Sequence, residues 1–528
     1  MVILFNKAIR SPWEGKSSIY GYIREQGKQV DSSLPDDEEF WSGSKIRWVA
    51  GGLDGAFGHH AGSDTMPDEV HELVHLLAKH SRKPKNSTRK ALYARLVKAE
   101  VGGMMDSILD EVRKHPGIQP SAVFDEARWF AENAAHRNVV KFGIALMGLF
   151  QNEQVKELLL TLGRHEEFTL YAAVAIQNGM EDSNEVLFEL AKHVHGWGKI
   201  HLVERLEPNS KEIRDWLLRH GCLNSIMNEY LACICARNGG LHEAIASDRV
   251  DCELFDGAST IIEALLYGGP AEDIDDYEHA PQALSDYVRL STKMCSTAKH
   301  LSVMLNIRDF LAKDEEKWEG RMSAGWTEEV RTDIHAGCQF IIGDFKWSSL
   351  IMDAVSSNNS QNRYYGVACA EKLGMDIWET LYDQLTANPL QDAHYFQLMK
   401  SNDPARIQKL VQFATEHLPL QHIATGPGDE MGLGKEYEAH RSLDTILQSL
   451  DQFEGIGKEL ILTGLNSPVI RNRNMAIKAL EGWNVTSWGD QLVNAVLHLS
   501  EIEPDDFVKE GLQQLRKDKG LNTKVIPK

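Results

Sequence analysis

His71 and His75, the two ends of the pentapeptide HELVH, are the residues whose types and spacing come closest to a recognisable chemistry. Imidazoles four positions apart share one side of a helix and can hold one zinc ion, with Glu72 between them as general base for a metal-bound water. Such a site needs a third ligand. Glu100, in LVKAEVGG, is one candidate, and His59 or His60, in GGLDGAFGHHAG, is another. Two histidines and a carboxylate also suit non-haem iron. The competing reading is that His71 and His75 edge the apolar face of a packed helix. With 21 histidines in the chain, an HExxH can arise by chance, and Glu69 puts a charge two residues before the first histidine, where zinc peptidases carry an uncharged residue.

Other chemistries find less. A phosphate-binding loop needs GxxxxGK and then Ser or Thr after a strand, so that backbone N–H groups and the lysine meet the phosphates. GGLDGAFGHHAG has no lysine, Asp54 would repel a phosphate, and GPGDEMGLGK and EGIGKE fail the same spacing. The glycine-rich stretch therefore reads as a crossing loop, with a flap over a metal as the alternative. No GxGxxG follows a strand, so no dinucleotide fingerprint is present. There is no GxSxG elbow. The seven cysteines are isolated, without a CxxC pair, and read as buried, reduced thiols. The acidic pairs Asp36–Asp37 and Asp275–Asp276 read as solvated loop residues.

The elements that must position these groups are helices. DEVHELVHLLAKH places Val70, Leu73, Val74 and Leu77 at i, i+3, i+4 and i+7, with Thr65 and Asp68 as its expected N-terminal cap. Similar stretches follow, while period-2 runs of Val, Ile and Thr are nearly absent, so the chain reads as all-α. Segments starting near Asn138, Phe168 and Lys199 each pair an Ala- and Leu-rich helix with a second helix closing on Arg–His or Lys–His. A period of about 30 residues suits stacked helical hairpins, because a single hairpin cannot bury its own apolar face. NRYYGVACAEKLG and SPVIRNRNMAIKALEGW carry the same theme, with Gly366, Ala368, Ala370, Ala476 and Ala479 where helices must approach closely.

The expected organisation is an irregular N-terminal cap over 1–65 and helical repeats over 66–267, 282–425 and 435–528. Acidic GGPAEDIDDYEHAP and glycine-rich GPGDEMGLG separate the repeat blocks. Placement of small residues and arginines across roughly 120–515 resembles HEAT-like α-solenoids. KIRWVAGGLDGAFGHHAG and SPVIRNRNMAIKALEGW, with the helical array between them, also resemble a group of bacterial proteins named limonene hydroxylase. That resemblance implies allylic hydroxylation of a monoterpene and NAD(P)-linked oxidation of the resulting alcohol. It carries no residue-by-residue motif. Oxygen activation would need a haem, flavin or metal, and HELVH is the single metal-like constellation.

Charge bounds the partners. A formal net charge of −21 opposes nucleic acid, whose binding rests on phosphate neutralisation. It favours instead a basic protein partner on a non-enzymatic scaffold. The opening MVILFNKAIRSPWEGK lacks the apolar run of a signal peptide and no stretch suits a membrane span, so a cytoplasmic location is expected. Three functions stand side by side: the hydroxylase that the resemblance implies, the acidic HEAT-like scaffold, and an HExxH hydrolase.

Overall fold

The computed structural model describes residues 11, 13–27, 32–44, 46–60, 67–247, 249–312 and 315–521, the side chains of 57–60 and 315–317 excepted. Among these residues there are 31 α-helices, a few short 3-10 turns and one π turn, and no strand. A single parallel bridge joins Glu430 to Val469. The chain forms two compact units, Met1–Ser296 with Val303–Gly343, and Thr297–Ser302 with Asp344–Lys528.

Local signals account for the helices. In Pro67–Arg82 the buried residues include Val70, Leu73, Val74 and Leu77, the face expected from spacing alone. The Thr65 cap lies outside the described residues. Ser210, Asp251 and Thr327 in the first unit accept from Ile213, Leu254 and Val330 N–H groups, each closing a free helix start. In the second unit Asn359, Asp403 and Asp505 do the same. Pro120, Pro281 and Pro404 sit in first turns, where no amide donor is missed.

In the first unit, Arg137–Met147 packs on Glu166–Gly179, which packs on Trp197–Val203, which packs on Glu229–Gly239. Their first residues lie about 30 positions apart. Lys156–Gly163 and Ser183–Ala191 each also pack against Glu166–Gly179. Phe130, Phe142 and Phe168 are fully buried there, each worth about 1.5–3 kcal/mol. At the start of the unit, Ile19–Gln26 packs on Pro120–Asn133 and Lys156–Gly163.

In the second unit Asp392–Leu398 packs on Glu438–Leu447, which packs on Ile470–Gly482, which packs on Asp506–Asp518, and Lys458–Leu465 packs on Gly489–Ile502. Close approach occurs at Gly366, where an added Cβ would stand 2.6 Å from the Val355 nitrogen. Ala370, Ala476 and Ala479 are buried, while Ala368 is partly exposed. Polar links join successive hairpins: Trp483 Nε1 donates to the Leu450 carbonyl at 2.7 Å and Asn472 Nδ2 to the His440 carbonyl at 2.9 Å. None of the seven cysteines is in a disulfide, and Cys252 is the exposed one. No described helix is long and apolar enough to cross a membrane.

Candidate functional site

Among the described side chains, His71, His75 and Glu100 do not form a three-ligand group. His71 and His75 are exposed, and His71 Nδ1 lies 2.9 Å from Glu111 Oε1. Glu72 accepts from Arg95 Nε at 2.8 Å, and Glu100 is an exposed residue at the start of Val101–Lys114. The side chains of His59 and His60 lie outside the described residues. Among those described, no group of three His, Cys, Asp or Glu side chains is placed to hold a metal ion. The buried histidine of this helix is His80, with Nδ1 2.7 Å from Thr88 Oγ1 and Nε2 2.9 Å from Glu126 Oε2.

Where it is described, the glycine-rich stretch is helical rather than a loop: it forms Gly52–His60, and its glycines let it lie against the array. An added Cβ at Gly55 would stand 2.3 Å from the Trp197 ring. Gly51 has φ +70°, the left-handed region, and a Cβ there would come 2.5 Å from the Glu166 carbonyl oxygen. This approach lets the Gly51 N–H donate to Glu167 Oε2 at 3.0 Å.

Around that contact lies a buried charge cluster. Lys141 Nζ is 2.7 Å from Asp54 Oδ2 and 2.6 Å from Glu167 Oε1. One turn earlier, Arg137 holds Asp36 through Nη2 at 2.9 Å and through its backbone N–H at 2.8 Å, and also pairs with Asp37. Its guanidinium stands 4.2 Å over the Phe40 ring. Burial by itself would push the Lys141 ammonium down, but Glu167 and Asp54 outweigh it and hold it above the ordinary lysine range. Burial likewise would raise Glu167, yet Lys141 and Arg137 hold its carboxyl below the usual range. Asp36 is therefore a buried partner of Arg137 rather than the solvated loop residue expected from its polar neighbours. Asp275 is paired with Arg321, half exposed.

Each cation of this cluster is held by two carboxylates, Arg137 by Asp36 and Asp37 and Lys141 by Asp54 and Glu167, and the cluster clasps the N-terminal segment onto Arg137–Met147 and Glu166–Gly179. A weak signal existed in the sequence. RNVVKFGIALM puts two cations four residues apart in a segment whose every residue is buried.

Beside it, one helix pair further on, lies an open cleft of about 460 Å³ bordered by Lys192, Lys199, Trp216, His220, Leu223 and Ser225. Glu166 accepts the His195 and Gly196 N–H groups at 2.7 and 2.8 Å and so fixes the start of Trp197–Val203, which carries Lys199. Lys199 Nζ donates to the carbonyls of His220 at 2.6 Å and Leu223 at 2.7 Å. Burial holds this ammonium below the ordinary lysine range. Its carbonyl partners come from the end of the π turn Leu217–Gly221 and from just beyond it; such turns recur at functional sites. Sequence reasoning missed Lys199 because KIHLVERL reads as plain amphipathic helix. No protein-family model matches the chain, and no curated protein matches it significantly.

Proposed function

We propose that the chain is a non-enzymatic HEAT-like helical-repeat scaffold that binds a partner protein through a basic patch. The recurrence of helices about 30 residues apart, each packed on the next, carries this reading. Such stacking buries one side of each hairpin and leaves the other as continuous surface for a partner. The net charge of −21 sets the partner's sign.

A contact surface of the required kind lies on Glu328–Ile342 in the first unit. Glu329, Asp333, Ala336 and Phe340 fall on one helix face and all are exposed, Phe340 at 77%. An exposed aromatic flanked by carboxylates suits a basic partner with an apolar anchor pocket, since aromatic residues dominate binding hot spots.

The test is affinity capture at physiological salt from source cells, followed by titration of the captured protein. A saturable basic partner that is lost when Glu329→Lys, Asp333→Lys and Phe340→Ala are combined supports the scaffold. Capture of nothing saturable, or equal binding by the triple variant, removes it. The monoterpene hydroxylase implied by the family resemblance is the competing proposal, and where the HELVH side chains stand does not favour it. Limonene turnover with NAD(P)H, together with stoichiometric iron or zinc lost in His71→Ala, would replace the scaffold reading.

A further inference from the structure

The cleft beside Trp197–Val203 is the second feature of the first unit with chemistry of its own, and it is independent of any scaffold role. Three observations meet there. Lys199 is 6% exposed yet borders the cleft. Its nitrogen has two carbonyl partners, His220 and Leu223, and stands 5.3 Å from the Trp216 ring, which also borders the cleft. The walls combine apolar Ala191, Val194 and Leu223 with the imidazole of His220 at the rim, half exposed and 3.5 Å from Glu253.

We propose that this cleft is a carbonyl-binding site in which Lys199 forms a reversible imine with an aldehyde whose apolar body rests against Trp216. The two carbonyls accept the two N–H bonds of a neutral amine. The third tetrahedral position then carries the lone pair, and the cleft is the space beside it. Burial, which disfavours the ammonium, favours the neutral amine needed for attack. The nitrogen lone pair adds to the carbonyl carbon, and the C=O π pair moves to oxygen, which takes a proton relayed by the His220 ring at the rim. The nitrogen gives up a proton to the same relay, which delivers it to the hydroxyl; water leaves, and the nitrogen pair closes the C=N bond. Aldehyde, amine and one proton become protonated imine and water, and no oxidant or reductant enters. Protonated, the imine keeps one N–H for one of the two carbonyls, so the site holds its product as well as its reactant.

A purely structural role makes the opposite claim. An ammonium locked on two carbonyls to cap a helix end would react more slowly than lysines in water. The probe is benzaldehyde with cyanoborohydride at neutral pH on the full chain, with adducts mapped by peptide mass spectrometry. One equivalent is expected at Lys199, forming severalfold faster than at exposed Lys79. Benzyl alcohol, which fills the cleft without reacting, should protect Lys199 and leave Lys79 unaffected. Trp216→Ala should lower the Lys199 rate toward that of Lys79. Labelling of Lys199 no faster than Lys79, or no protection by benzyl alcohol, overturns the proposal. Where Trp216→Ala fails to fold, the protection experiment on the unaltered chain decides alone.

Discussion

Lys141→Met tests the buried clasp most directly. The ammonium is the shared partner of Asp54 and Glu167, at 2.7 and 2.6 Å, and Lys141 is 2% exposed. Methionine fills similar volume but leaves two carboxylates facing each other. Glu167 then keeps the Gly51 N–H and Arg137 at 4.0 Å. Removing one partner of a buried pair costs about 3–5 kcal/mol, because the charge left behind is uncompensated. The same reasoning fixes the pH dependence. In the unaltered protein Glu167 is held below its ordinary range, so its stabilising contribution is present above the unfolded carboxyl pKa and is lost as pH falls through the folded value. Without Lys141 the balance reverses, Glu167 is pushed up by burial, and protonation relieves the variant. The destabilisation should therefore be largest at neutral pH and shrink toward pH ~5. Adding Glu167→Gln should recover part of the loss, with a coupling of about 1–3 kcal/mol. Because the chain has two compact units, a whole-protein melt is a poor gauge. Hydrogen exchange in peptides spanning residues 52–56 and 137–147 reads the local opening energy instead. A cost under about 1 kcal/mol at neutral pH, or a cost that grows on acidification, would refute the reasoning.

Three further outcomes follow from the same geometry. Gly55→Leu drives a side chain into the Trp197 ring, and should cost about 1–3 kcal/mol with faster exchange across residues 52–56; unchanged exchange would contradict the packing described. Arg473→Met in the second unit strands the fully buried Glu503, which Arg473 holds at 2.8 and 2.7 Å, and should cost about 3–5 kcal/mol by urea denaturation, more than Arg473→Met with Glu503→Leu. Asp444, beside Asn472 and Arg471, is pushed up by burial to about 6. A carboxyl raised in the folded state binds its proton more tightly there, so stability of the second unit should fall as pH rises from about 4 to 6. Asp444→Asn should flatten that slope, by at most about 3 kcal/mol, and an unchanged slope measured by denaturation across this range would assign it to another group.

Many helices from residue 67 onward were legible in the residues, whereas Ile19–Gln26, Asp37–Phe40 and Gly52–His60 lie in the stretch expected to be irregular. Val70, Leu73, Val74 and Leu77 bury one face because periodicity and burial are the same statement for an amphipathic helix. The period of about 30 residues seen from Asn138, Phe168 and Lys199 corresponds to helices that pack on their successors, since neighbouring hairpins meet through contacts of that range. Residues 268–279 and 426–434 contain no regular helix, in keeping with their prolines, acids and glycines, and the end of the expected first break, Ala280 and Pro281, already belongs to the helix Ala280–Met294.

What only tertiary structure decided is where charges meet. Asp36 and Arg137 are 101 residues apart, Asp54 and Lys141 87, and Gly51 and Glu167 116. No local spacing encodes such pairs, so Asp36 looked solvated and GGLDGAFGHHAG looked like a loop. HELVH has a ligand's spacing, but spacing fixes only which side of a helix two histidines share, and here His71 and His75 face solvent. Lys199 shows the converse: an ordinary residue in an ordinary helix becomes a buried amine because the next hairpin turns its carbonyls toward it. Local sequence sets which residues lie together on a helix, whereas the folded chain sets what each one touches and how much water it loses, and those two quantities determine its chemistry.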